Sequence, residues 1–158
     1  MTGPPIRAYL PGTFAVLATL RRQRELPPGA AYAVTAGLRA EAPGEDDETL
    51  EYEAFCRAAD ASLALLRGGH TAPRRVVIAV DLPAAQVAGA AAADVATVNL
   101  AGPVPLTRVA AIHVDGVAAE PAVAAALDAA DPSGTELDEE LEWYDVSELD
   151  QLVPAEAG

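Results

Sequence analysis

Arg74-Arg75-Val76-Val77-Ile78-Ala79-Val80-Asp81-Leu82-Pro83 is the stretch that decides the fold. Side chains along a strand alternate between two faces, so an unbroken apolar run is stable only where both faces are covered. Val76 to Val80 is such a run, rich in β-branched residues that suit a pleated surface. It predicts a central strand, buried on both sides and ended by Pro83.

Toward the N-terminus, Ile6-Arg7-Ala8-Tyr9-Leu10 reads as a first strand. Thr13 then caps a helix to about Glu25, with Phe14, Leu17 and Leu20 as its apolar stripe and Arg21, Arg22 and Arg24 in its last turn. Ala31-Tyr32-Ala33-Val34 is a second strand, closed by Thr35. Glu45-Asp46-Asp47-Glu48 opens the longest helix, which reaches Leu66. Its inward positions are read as Leu50, Ala54, Phe55, Ala58, Ala61, Ser62, Leu65 and Leu66, at helical spacing.

Toward the C-terminus, residues 84–93 read as a loop with some helix. Strands follow at 95–100 and at Ala111-Ile112-His113-Val114-Asp115, with a short helical turn at 105–108 between them. Glu120-Pro121 starts an alanine-rich helix. In the tail, Leu137, Leu141 and Tyr144 fit a helix, whereas Leu141, Trp143 and Asp145 fit a strand; an edge strand through Trp143-Tyr144 is favoured, followed by a last turn that Ser147 caps. Strands alternating with helical segments give an α/β or α+β class: a single mixed β-sheet of about five strands flanked by helices. Length and an apolar content of 51% fit one globular domain over residues 1–153, with 154–158 as a disordered tail.

Charge is distributed unevenly. The formal net charge is −14. Residues 1–40 carry five arginines against Glu25 alone, whereas residues 118–158 carry twelve acids and no base. No lysine occurs. Such a field repels nucleic acid and anionic membrane and attracts basic surfaces. Cys56 is the single cysteine, which fits a reducing compartment. The first residues have neither the basic nor the apolar segment of a signal peptide. A cytoplasmic protein is expected, with no membrane or nucleic-acid partner.

The chemistry-bearing residue types are few. His113 and Asp115 project from one face of their strand, and a carboxylate beside an imidazole suits a general base or a metal ligand. Asp81, at the end of the central strand, and Asn99 could join them, and Arg74-Arg75 could clamp an anion. The plainer reading is a histidine and an aspartate at the end of a strand, since His-x-Asp alone is no motif. No glycine-rich phosphate fingerprint or metal-ligand cluster is present, and no cofactor or metal is expected. Cys56 reads as a small buried apolar residue. The tail mixes Glu139, Glu140 and Glu142 with Leu141, Trp143 and Tyr144, a pattern suited to docking a basic partner, or to a charged edge strand that resists aggregation.

Several stretches together resemble a family of small uncharacterised actinobacterial proteins, a domain of unknown function. They are Arg7-Ala8-Tyr9-Leu10-Pro11-Gly12-Thr13, Tyr32-Ala33-Val34-Thr35, Leu50-Glu51-Tyr52, Arg74-Arg75-Val76-Val77, Gly102-Pro103-Val104-Pro105-Leu106, Ile112-His113-Val114-Asp115 and Trp143-Tyr144. The resemblance implies no activity and no site residues.

The functional expectation is a non-enzymatic protein-binding or regulatory domain that uses its acidic C-terminal third. Two alternatives stand beside it. One is a small enzyme or ligand-binding domain with a pocket near His113, Asp115, Asp81 and Arg75. The other is an acidic DNA mimic. Oligomeric state and partner identity are not legible.

Overall fold

The computed structural model describes residues 3–67, 72–89, 94–129, 137 and 140–153. The run at Val76 lies in β4 (Val76–Leu82), with β1 (Ile6–Gly12) on one side and β8 (Val109–Asp115) on the other. Every residue of β4 except Asp81 is buried. Outward from β1 come β3 (Ala30–Ala33), β6 (Thr97–Leu100) and β5 (Val87–Gly89). Beyond β8 lies β9 (Leu141–Tyr144), the edge strand expected around Trp143. The sheet therefore has seven strands. Each of its pairings is antiparallel, so it is not mixed, and the class is α+β.

Strand parity sorts the core into two layers. Ala8, Leu10, Val76, Ile78, Val80 and Ile112 point to one face. There they meet Leu17 and Leu20 of α1 (Phe14–Gln23), Leu149 of α5 (Leu149–Leu152), and Leu26 and Val104 from a small ribbon. That ribbon pairs β2 (Glu25–Leu26) with β7 (Val104–Pro105). Tyr9, Val77, Ala79 and Ala111 point to the other face and meet Leu50, Ala54 and Ala58 of α3 (Asp47–Leu66). The buried Ser62 hydroxyl locks α3 down. It donates to the Gly12 carbonyl at 2.7 Å and accepts from the Val76 amide at 2.9 Å. Two strand-end backbone groups are satisfied by one side chain. A third cluster joins Leu63 and Leu66 to Val123 and Ala126 of α4 (Glu120–Asp128).

Local signals behave as their chemistry requires. Thr13 and Thr35 accept from the amides of Val16 and Leu38, capping α1 and α2 (Ala36–Glu41), and Asp46 caps α3 through the Thr49 amide. Gly37 is needed because a Cβ there would come within 2.9 Å of Val95.

Four expectations change. Leu65 is 49% exposed while Leu63 is buried, so the inward stripe of α3 is turned by part of a residue step. Residues 87–89 form edge strand β5 rather than loop. Arg24 is the left-handed residue that closes α1, at φ 62°, and not part of its last turn. Asp145, not Ser147, caps the final turn: its carboxylate accepts from the Ser147 amide while Glu148 accepts from the Asp145 amide. The tail expected at 154–158 lies outside the described residues, as do Glu139 and His70.

Candidate functional site

α3 lies mainly across β1, β3 and β4 and reaches β8 through Ala111 and His113. The uncovered part of that face forms the floor of a groove of about 1230 Å³, with α3 as its wall. Tyr9, Ala111, His113, Leu141 and Trp143 come from the sheet, and Tyr52, Phe55, Cys56 and Leu63 from the helix. Parity explains the sheet contribution. Residues 9, 111, 113, 141 and 143 share the face that α3 partly covers.

The aromatic groups are organised around Phe55. Its ring meets Tyr9 edge-on at 5.8 Å, meets His113 edge-on at 4.8 Å, and stacks with Tyr52 at 6.2 Å. Edge-to-face contacts of this kind hold rings in fixed positions. Trp143 sits directly across from His113 in the β8–β9 register. Trp143 and Tyr52 are 60% and 61% exposed, so the rim carries two large aromatic surfaces in contact with water.

Charge in the groove is one-sided. Arg7 is held by Asp81, its neighbour across the β1–β4 pair, with Nε donating to Oδ1 at 2.6 Å and Nη2 to Oδ2 at 3.0 Å. Arg75 is held by Asp115 in the same bidentate fashion, at 2.8 and 2.9 Å, and the Arg75 amide donates to the same carboxylate. Arg67 donates to the Ala129 carbonyl. The lining acids Glu48, Glu51, Asp60 and Glu140 form no ion pair with any described residue. Two of the three lining cations are thus paired with carboxylates, whereas these four lining carboxylates have no ion-pair partner among the described residues.

The sequence-selected residues divide accordingly. Asp115 is fully buried and bound to Arg75, which lines the groove while Asp115 itself does not, so its role is structural. Asp81 faces Arg7. His113 lines the groove, but its ring neighbour is Phe55, and no hydrogen bond joins it to Asp115 or Asp81. Burial, followed by the nearby Arg7, pushes its pKa below the ordinary imidazole value, which keeps it neutral at pH 7. Arg74 and Arg75 do not form a clamp. Successive residues point to opposite faces, and Arg74 instead lies over the Phe14 ring and donates to the Asp115 carbonyl. Asn99 belongs to β6, on the far side of the sheet from β8.

Glu140, Leu141 and Trp143 of the tail line the groove. Glu142 and Tyr144 share the opposite parity and bond to each other, Tyr144 Oη donating to Glu142 Oε2 at 2.9 Å. Cys56 is half-exposed in the groove wall rather than a core residue, and burial pushes its thiol pKa up. Sequence reasoning missed Tyr9, Tyr52, Glu48 and Glu51. The available signal was Tyr52 and Phe55, three apart on a helix whose buried stripe Leu50, Ala54 and Ala58 already fill.

The model of a family of unknown function, DUF6912, matches residues 6–153. The chain belongs to that family. This bears out the resemblance to a domain of unknown function, and the match runs from the first strand to the end of α5. No curated protein and no solved structure matches the chain. Among the described residues, no three His, Cys, Asp or Glu side chains are grouped to hold a metal, and no helix is long and apolar enough to cross a membrane.

Proposed function

We propose that this protein is a non-enzymatic binding domain whose aromatic, acid-rimmed groove takes a basic segment of a protein partner, with the cytoplasm as its working compartment. The observation that carries the reading is the charge state of the groove. Glu48, Glu51, Asp60 and Glu140 surround exposed Tyr52 and Trp143 and form no ion pair with any described residue, while Arg7 and Arg75 are already bound to aspartates. Unpaired carboxylates beside aromatic faces attract guanidinium and ammonium groups by charge and by cation–π contact. The surface is therefore broader than the acidic C-terminal third: β9 contributes one rim and the first half of α3 the other.

The enzyme reading finds less support. A histidine without a hydrogen-bonded carboxylate, with both candidate aspartates engaged by arginines, lacks the oriented base that acid–base catalysis uses. A DNA mimic needs rows of exposed carboxylates, and the groove instead interleaves its acids with rings.

The test is titration with arginine-rich peptides at low and high salt. Glu48→Gln combined with Glu51→Gln should slow association at low salt and matter little at high salt. Trp143→Ala should shorten the lifetime of the complex at every salt concentration. Binding that ignores all three substitutions contradicts the proposal.

A further inference from the structure

The edge of β9 specifies how a partner would be held. β9 pairs with β8 on one side, and no described strand pairs with its other side. The directions of its amides follow from β8. The Asp115 amide donates to the Arg75 carbonyl at 3.0 Å, on the β4 side. Backbone groups alternate along a strand, so His113 also turns its amide and carbonyl toward β4, and Ile112 and Val114 turn theirs toward β9. Their register partners Tyr144 and Glu142 therefore face inward, and Leu141 and Trp143 present their N–H and C=O groups at the open edge. These two residues are also the ones whose side chains line the groove. Main-chain bonding sites and groove side chains thus coincide at one place.

We propose that an extended, basic segment of a partner protein adds to β9 as an eighth strand, pairing with the backbone of Leu141 and Trp143. This rests on the basic-partner reading above and adds its geometry. Strand addition draws affinity from main-chain hydrogen bonds and specificity from alternate side chains. Residues opposite Leu141 and Trp143 lie on the groove face, against the indole and within reach of Glu140. Residues of the other parity lie beside Glu142. Charge selects the occupant. In a second copy of this chain paired edge to edge through β9, Glu142 of each copy would approach its counterpart, and like charges across a strand pair are destabilising. A strand bearing arginine or lysine reverses the sign of that interaction. The same acids keep the edge from indiscriminate pairing.

The probe is a ten-residue peptide of alternating arginine and valine, compared with two versions N-methylated on the backbone, each at one set of alternate residues. N-methylation removes the amide donor without changing charge. The set that faces β9 should lose at least tenfold in affinity and the other set should change little. In hydrogen exchange, the Leu141 and Trp143 amides should become protected on binding while those of Glu142 and Tyr144, already bonded to β8, stay as they were. If the parent peptide binds with salt dependence but both methylated versions bind equally well and the Leu141 and Trp143 amides stay unprotected, strand addition is wrong and the groove reading survives. If the parent peptide does not bind, both fall.

Discussion

On one face of the sheet, α1, α5 and the β2–β7 ribbon close over a continuous layer of Leu, Ile and Val. On the other, α3 lies across β1, β3 and β4, α4 packs against its C-terminal half, and the floor over β8 and β9 stays open. The residue types follow the coverage. The closed face holds Leu17, Leu20, Val80 and Ile112. The open face holds Tyr9, His113 and Trp143, rings that each carry a polar atom, packed beside Phe55. The contrast separates two tasks: the closed face carries the fold, and the open face gives up burial and leaves an aromatic surface exposed.

The largest effect should come from the place where the open face turns structural. Asp115→Ala leaves Arg75 buried beside a lost carboxylate, and removing one partner of a buried pair costs about 3–5 kcal/mol. Urea denaturation should show that loss, and a midpoint close to the parent's would mean that water reaches Arg75. On the closed face, Leu17→Ala should cost about 2–5 kcal/mol, as large-to-small changes in a filled core do. Ser62→Ala should cost about 1–3 kcal/mol for the Gly12 carbonyl and Val76 amide left behind. Trp143→Ala should stay within about 0.5 kcal/mol, the range for surface changes. A Trp143→Ala melt as damaged as that of Leu17→Ala would erase the distinction between the faces.

His113 gives the contrast a pH dependence. Its folded pKa lies below the ordinary 6.5, because burial and Arg7 oppose the imidazolium. Above 6.5 both states are neutral and the residue contributes no slope. Below 6.5 the unfolded chain takes up the proton first, so stability falls as pH drops toward the lowered folded value. Between pH 7 and 5 the parent should lose stability that His113→Gln retains. Parallel curves for the two proteins would place the imidazole in water.

The parts of this arrangement legible in sequence were those dictated locally. Val76 to Val80 reveals a doubly covered strand because no polar residue interrupts it. Thr13 declares one helix start, and the acids at 45–48 another. The short strands β2, β5 and β7 were hidden, since two or three residues of Glu-Leu, Val-Ala-Gly or Val-Pro acquire strand geometry only from a partner. Leu63 and Leu65 lie on a helix that is apolar nearly all round there, so periodicity left the phase open by part of a turn. The site was half visible. Trp143, Glu140 and His113 stood out by residue type. Their meeting with Tyr9 and Phe55 depends on which strands α3 crosses, a tertiary fact with no local signature. His113 and Asp115 share a face as their spacing requires, but Arg75 reached the carboxylate first.

Trp143 is the single tryptophan of the chain, so its emission reports on the groove alone. Titrating the protein with an arginine-rich peptide, and in parallel with a polyglutamate control, asks whether the groove takes a basic segment. The basic peptide should give a saturable blue shift and loss of quenching by acrylamide as the indole is covered, and polyglutamate should give no response. An indole that remains equally open to quencher at saturating basic peptide would contradict a basic occupant of the groove.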